Sequence, residues 1–175
     1  MDTPLTTQDP TNSSAPLKNL TEIATGTDQI NRIGRQVRLK SIHLRGNIEA
    51  NTAGNPAQRV RLIVVATKNS EPDNAPVLQD VLQDGGNFDS FRNLNRARGF
   101  IPIVDRTFQV DQDDPRRYFN IYKKLNIRKQ FNDNSGTYTS ASQGYGDIYM
   151  WAICDEDNTN EPVIALMSRV RFVDN

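Results

Sequence analysis

From Arg35 onward, apolar and polar residues alternate. Val37 and Leu39 interleave with Arg38 and Lys40, and Ile42, Leu44 and Ile48 continue the apolar set. Strand side chains point to opposite faces in turn, so this pattern predicts one long, half-buried strand. The parity changes between Leu39 and Ile42, which predicts a β-bulge that returns the apolar set to one face. Residues 51–56 (NTAGNP) form a turn-rich loop. A second strand follows at 58–67, with Val60, Leu62, Val64 and Ala66 on one face and Ile63 and Val65 on the other. Apolar residues on both sides predict a strand covered on both faces. Residues 76–82 form the one credible helix, a short loop helix over a sheet end. Proline suits its first turn, and Val77, Leu78, Val81 and Leu82 share a face. β character then returns at 100–110, as two short strands or one bent one, and at 118–131, where Lys123 breaks the alternation. Residues 132–146 read as a loop holding one edge strand near 137–139, and strands at 147–154 and 163–173 close the chain.

Residues 1–27 depart from this pattern. Thr, Asn, Pro, Ser and Asp dominate them, and such a composition does not bury enough apolar surface to offset its ordering entropy. They are expected to be a flexible or partner-ordered arm ahead of a folded domain at 28–175. Seven or eight strands with one short helix predict an all-β, two-sheet antiparallel sandwich. The eight-stranded jelly roll suits that count. An immunoglobulin-like sandwich fits the periodicity nearly as well, and the lack of a Cys…Trp…Cys pattern weighs little against it.

Composition narrows the function classes. The longest aliphatic run, residues 62–66, is far short of the roughly 20 apolar residues that span a bilayer, so no membrane insertion is expected. A lone Cys154 and a lone His43 allow neither a disulfide framework nor a His- or Cys-rich zinc site. No nucleophile elbow, P-loop or dinucleotide-binding turn is present, so no cofactor is expected. A glycosidase working through two carboxylates stays open, because its acids need only meet in space, yet nothing singles out a pair. The 21 cations and 21 acids cancel but are unevenly spread. Residues 32–61 hold seven cations against Glu49 alone, a block that suggests a local anionic partner.

Four segments in order carry a family resemblance: GTDQINRIGRQVRLKSIHLRG at 26–46, RVRLIVV at 59–65, IVDRTF at 103–108 and RVRFVD at 169–174. They resemble capsid proteins of circular single-stranded DNA viruses that encode a replication initiator, which in turn are similar to the satellite tobacco necrosis virus capsid protein. The resemblance implies a single jelly roll with two four-stranded sheets. It also implies a T=1 icosahedral shell of sixty identical subunits around single-stranded nucleic acid, with DNA as the expected cargo. It further implies a virion component assembled in the host cell, in the nucleus. Members usually begin with a long Arg/Lys-rich arm. Here residues 1–31 contain only Lys18 and are net acidic, which reads either as a removed basic arm, the favoured reading, or as a lineage that condenses its genome differently, and genome contact cannot be assigned to them.

The first and last strands of a jelly roll lie in one sheet, so Arg38, Lys40, Arg169 and Arg171 are expected to share a surface that attracts phosphate in a salt-dependent way. Arg32 and Arg35, at the exit of the arm, join them as candidates. Intersubunit salt bridges and plain solubility are the competing uses. Two acidic clusters, Asp111 with Asp113 and Asp114, and Asp155 with Glu156 and Asp157, are weak calcium candidates. Neither has the spacing of a dedicated calcium loop, and hydrated turn residues are the ordinary reading. Tyr149 and Trp151 share a strand face. Core packing suits them best, while a base-stacking or sugar-binding platform, as in a lectin-like module, is the alternative. His43 reads as an ordinary strand histidine, with pH sensing at an interface as its alternative, and Cys154 as a small core hydrophobe.

Overall fold

A computed structural model describes residues 16–28, 30–54, 56–68, 75–85, 87–133, 137–155 and 160–174, and the backbone of 2–8. Eight strands form: β1 (Asp2–Gln8), β2 (Lys18–Asn19), β3 (Gln36–Glu49), β4 (Ala57–Thr67), β5 (Phe100–Asp111), β6 (Arg116–Gln130), β7 (Ile148–Cys154) and β8 (Val163–Asp174). They make two four-stranded sheets, ordered β1-β8-β3-β6 and β2-β7-β4-β5, with the strand pairs described all antiparallel. First pairs with last, second with seventh, third with sixth and fourth with fifth, as when one long hairpin is rolled up. That order is the jelly roll, and it is not the immunoglobulin arrangement.

The alternation read from the sequence builds the core. Val37, Leu39, Ile42 and Leu44 of β3 are fully buried against Leu62 and Val64 of β4, Met150 and Cys154 of β7, and Ile121 of β6. The bulge falls where the parity changed: the pairing of β3 with both neighbours shifts between Leu39 and Ser41. Residues 100–111 form one strand whose register breaks opposite Val64 and Val65. Pro102 sits there, and β5 is an edge strand, where a missing N–H is tolerated. The expected strand near 137–139 is absent among the described residues. A 3-10 turn at Ser140–Ser142 follows instead, and Tyr138 packs edge-on against Phe131. The helix α1 shrinks to one turn, Leu78–Val81, whose Asp80 carboxylate accepts from the Val77 N–H at 3.1 Å.

Two strands, β1 and β2, lie within residues 1–27. β1 adds to the edge of β8, and β2 to β7. Main-chain pairing at a sheet edge accepts almost any side chain, which explains how a polar segment is recruited. Farther on, Leu20 and Ile23 enter the core. A buried polar hub fastens this stretch. The Asp147 carboxylate, fully buried, lies 2.7 Å from the equally buried Lys129 ammonium and accepts from Thr21 Oγ1 (3.0 Å), Tyr138 OH (3.2 Å), Asn19 Nδ2 (3.3 Å) and the Gly144 N–H (2.8 Å). Gly146, at φ 83°, lets the loop pass against the Arg128 carbonyl, where a Cβ would collide. Burial lowers the Lys129 pKa, and Asp147 opposes that shift.

Candidate nucleic-acid interface

The two sheets have unlike outer surfaces. On the β2-β7-β4-β5 sheet, Ile63 and Val65 of β4 and Tyr149, Trp151 and Ile153 of β7 point away from the central core. They are buried all the same, under Leu78, Val81 and Leu82, with Phe88 and Phe100 beside them. The segment between β4 and β5 thus roofs this sheet, and every residue of β7 is buried. Tyr149 and Trp151 are each 1% exposed, so neither offers a platform to a base or a sugar. Cys154 takes its expected core place.

Among the described residues nothing roofs the outer surface of the other sheet, and its register sets side chains in rows across β8, β3 and β6. Arg169 lies beside His43 and Tyr122, Met167 beside Arg45 and Asn120, and Arg171 beside Ser41 and Lys124. Val173, Arg38 and Arg128 make a further row, and Ala165, Asn47 and Tyr118 another. Neighbouring strands are about 4.8 Å apart, so each row is a contiguous patch. Lys40, in the bulge, is exposed as well. Sequence reasoning therefore placed Arg38, Lys40, Arg169 and Arg171 together, and the structure does so.

Arg32 belongs elsewhere. It is 1% exposed, donates to the carbonyls of Ile23 (3.2 Å), Gly34 (2.6 Å) and Asp133 (3.1 Å), and stacks 4.0 Å from the centre of the Phe131 ring. Desolvation by burial lowers its pKa. It ties the entrance of β3 to the loop after β6, and no phosphate reaches it. Arg35, three residues on, is exposed.

Arg45, Lys124, Arg128 and the two tyrosines escaped sequence reasoning. The alternation of Tyr118, Asn120 and Tyr122 with Phe119 and Ile121 marked them as one outward face. What the pattern lacked was the pairing of β6 with β3, which sets that face beside the basic block.

The electrostatics of the two sheets differ too. On the roofed sheet, Arg61 makes a two-pronged contact with Asp105 (2.8 and 2.9 Å), and Arg59 pairs with Asp155 (2.7 Å) and Asp89 (3.4 Å). On the bare face, Arg38, Arg128 and His43 have neutral amide partners. Arg38 donates to Asn126 (2.6 Å), Arg128 to Gln36 (3.1 Å), and His43 Nε2 lies 2.5 Å from Asn120 Oδ1. Strands β3, β6 and β8 carry only two carboxylates, Glu49 and Asp174, at their ends, and Glu49 pairs with Arg116. Asp2 of β1 is the register partner of Arg169. Cations held by amides keep their charge, and grouped on one surface they attract a polyanion.

The acidic clusters hold turns and ion pairs. Asp111 accepts from the backbone N–H groups of Asp113 (3.1 Å) and Asp114 (2.7 Å), Asp114 approaches Arg117 at 3.8 Å, and Asp155 is engaged by Arg59. Glu156 and Asp157 lie outside the described residues. Among the described residues no three potential ligands converge on one point.

No protein-family model and no curated protein matches the chain. Among solved structures it is similar to one of deformed wing virus, a honeybee pathogen, at 13% identity and TM-score 0.41, covering 100% of this chain and 45% of that one. A structure of Red Clover Necrotic Mosaic Virus gives 12% identity and TM-score 0.36, covering 99% and 55%. One of Mud Crab Dicistrovirus gives 15% and 0.29, covering 100% and 68%. The chain thus spans about half the length of the first two. The jelly-roll assignment rests on the strand order.

Proposed function

We propose that the protein is a structural capsid subunit that assembles into a T=1 shell of sixty copies around single-stranded nucleic acid. The bare face of β3, β6 and β8 would look toward the cargo. The observation that carries this reading is the asymmetry of the sandwich: one sheet is roofed by its own chain, and the other presents cations braced by amides. Among the six cations expected to meet nucleic acid, Arg35, Arg38, Lys40, Arg169 and Arg171 keep that role, and buried Arg32 becomes a strut. DNA as cargo, and nuclear assembly of the virion, rest on the resemblance of the four sequence segments.

Self-association gains support from exposed apolar side chains. Phe91 and Leu94, on the segment between β4 and β5, are 81% and 82% exposed, and Ile33 is 73% exposed. Closed symmetric assembly covers such side chains and uses up free sheet edges. The test is particle mass by light scattering, with negative-stain microscopy and ultraviolet absorbance of the same sample. Uniform megadalton particles carrying nucleic acid are expected. A stable monomer over a range of salt, pH and calcium would overturn the proposal.

A further inference from the structure

Beside the cations, β6 carries an aromatic row. Tyr118 is 70% exposed and Tyr122 53% exposed, on the same outward face as Asn120. The His43 ring meets Tyr122 edge-on at 6.0 Å and is itself tied to Asn120, so Tyr122 has a braced neighbour. Next to it runs a groove of about 700 Å³, lined by Arg45, Asn47, Tyr118, Asn120 and Met167 among others. A smaller hollow of about 180 Å³ continues it past His43 and Arg45 to Arg169. These phenol rings stand on the outer face of β6, the edge strand of its sheet, and are not needed for the core, which Phe119 and Ile121 fill from the other side.

We infer that this groove binds single-stranded nucleic acid by stacking bases on Tyr118 and Tyr122 while Arg45, Arg169 and Lys124 hold the phosphates. The inference rests on the proposed capsid reading and adds to it how the cargo is held. Stacking on aromatic rings beside a cationic track accepts any base, because every base has a π-face. Tyr118 and Tyr122 are four residues apart on one strand, about 13 Å at 3.3–3.4 Å per residue. They therefore engage different bases of one strand and do not clamp a single base between them. A duplex keeps its bases stacked on one another and offers the rings nothing, so the groove selects single strands. Charge complementarity points to the nucleic acid as the occupant: β6 has no carboxylate of its own.

The test titrates the protein, at concentrations below those that form shells, with a labelled oligothymidylate of about twelve nucleotides, inside the usual ~4–16 nucleotide range for such sites. A duplex of equal length serves as comparison. Tyr118→Ala and Tyr122→Ala should each weaken single-strand binding about tenfold, which at ~1.4 kcal/mol falls within the stacking range. Tyr122→Phe should bind as the parent does, and the salt dependence of the tyrosine variants should be unchanged. Arg169→Gln and Lys124→Gln should instead flatten that dependence. Should the alanine variants misfold, Tyr122→Trp supplies a second readout, an exposed indole whose emission the oligothymidylate quenches. Tyrosine variants that bind within twofold of the parent, an unquenched indole, or equal affinity for duplex would each overturn the stacking. Such results would leave the capsid reading intact wherever the cation variants still weaken binding. Failure of the parent protein to form particles would overturn the capsid reading, with stacking judged separately by the titration.

Discussion

The two sheets of this sandwich solve the same problem in opposite ways. β4 and β7 bury both faces, because the chain between β4 and β5 lays Leu78, Val81 and Leu82 over Ile63, Val65 and Trp151. β3, β6 and β8 bury one face only and present Arg38, Arg45, Lys124 and their neighbours on the other. Arginines occur on both sheets, but their partners differ. Arg59 and Arg61 are neutralised by aspartates, whereas Arg38 and Arg128 are braced by Asn126 and Gln36. The difference teaches that cationic residue type alone does not mark a binding surface. In the proposed reading, what marks it is a group of cations such as Arg38 and Arg128 held by amides, on a face that the described residues leave open.

The sharpest way to break the contrast is to damage what is buried. Trp151→Ala should destabilise the fold by about 3–5 kcal/mol, the usual range for a large core aromatic, as read by denaturant unfolding. Asp147→Ala should cost a similar ~3–5 kcal/mol, because it strands the Lys129 ammonium in the interior and releases Thr21 and Asn19. In the roof itself, Leu82→Ala should cost about 2–5 kcal/mol and expose Trp151, visible as a red shift of its emission.

Alkaline pH gives a smaller effect with a definite sign. Burial raises the pKa values of Tyr138 and Tyr149 above the ordinary phenol value, with Asp147 adding to both shifts. The folded state therefore holds these protons after the unfolded chain has begun to release them at about pH 10. Their contribution to stability is full below that pH and declines above it, so thermal melting should fall as pH rises past ~10. Tyr138→Phe should lessen the decline. Smallest of all should be the stability effect of changing the bare face. Lys124→Gln with Arg171→Gln should alter unfolding by no more than ~0.5 kcal/mol. The same pair should reduce the salt slope of single-strand binding by about 0.7 per cation removed.

Period-two alternation made most of the fold legible. It located β3, β4, β6 and β8, the bulge after Leu39, and the double coverage of β4, since Ile63 and Val65 demanded a roof of their own. β1 and β2 were illegible because their order comes from main-chain pairing and from the Asp147 hub, neither of which leaves an apolar period. The basic block predicted the bare face through Arg38 and Lys40, yet the same block contains Arg32, Arg59 and Arg61. Only the fold separates a buried strut and two neutralised arginines from the open cations, because their acid and carbonyl partners are distant in sequence. Arg45, Tyr118 and Tyr122 came into view only once β6 was seen to pair with β3.

Lysine labelling of filled and nuclease-emptied particles tests the orientation of the sandwich most directly. Lys40 and Lys124 on the bare face should be shielded from acetylation while cargo is present and react once it is gone, with Lys68, at the end of β4, unchanged between the two. Equal reactivity of Lys40 and Lys124 in filled and emptied particles would contradict a cargo-facing sheet.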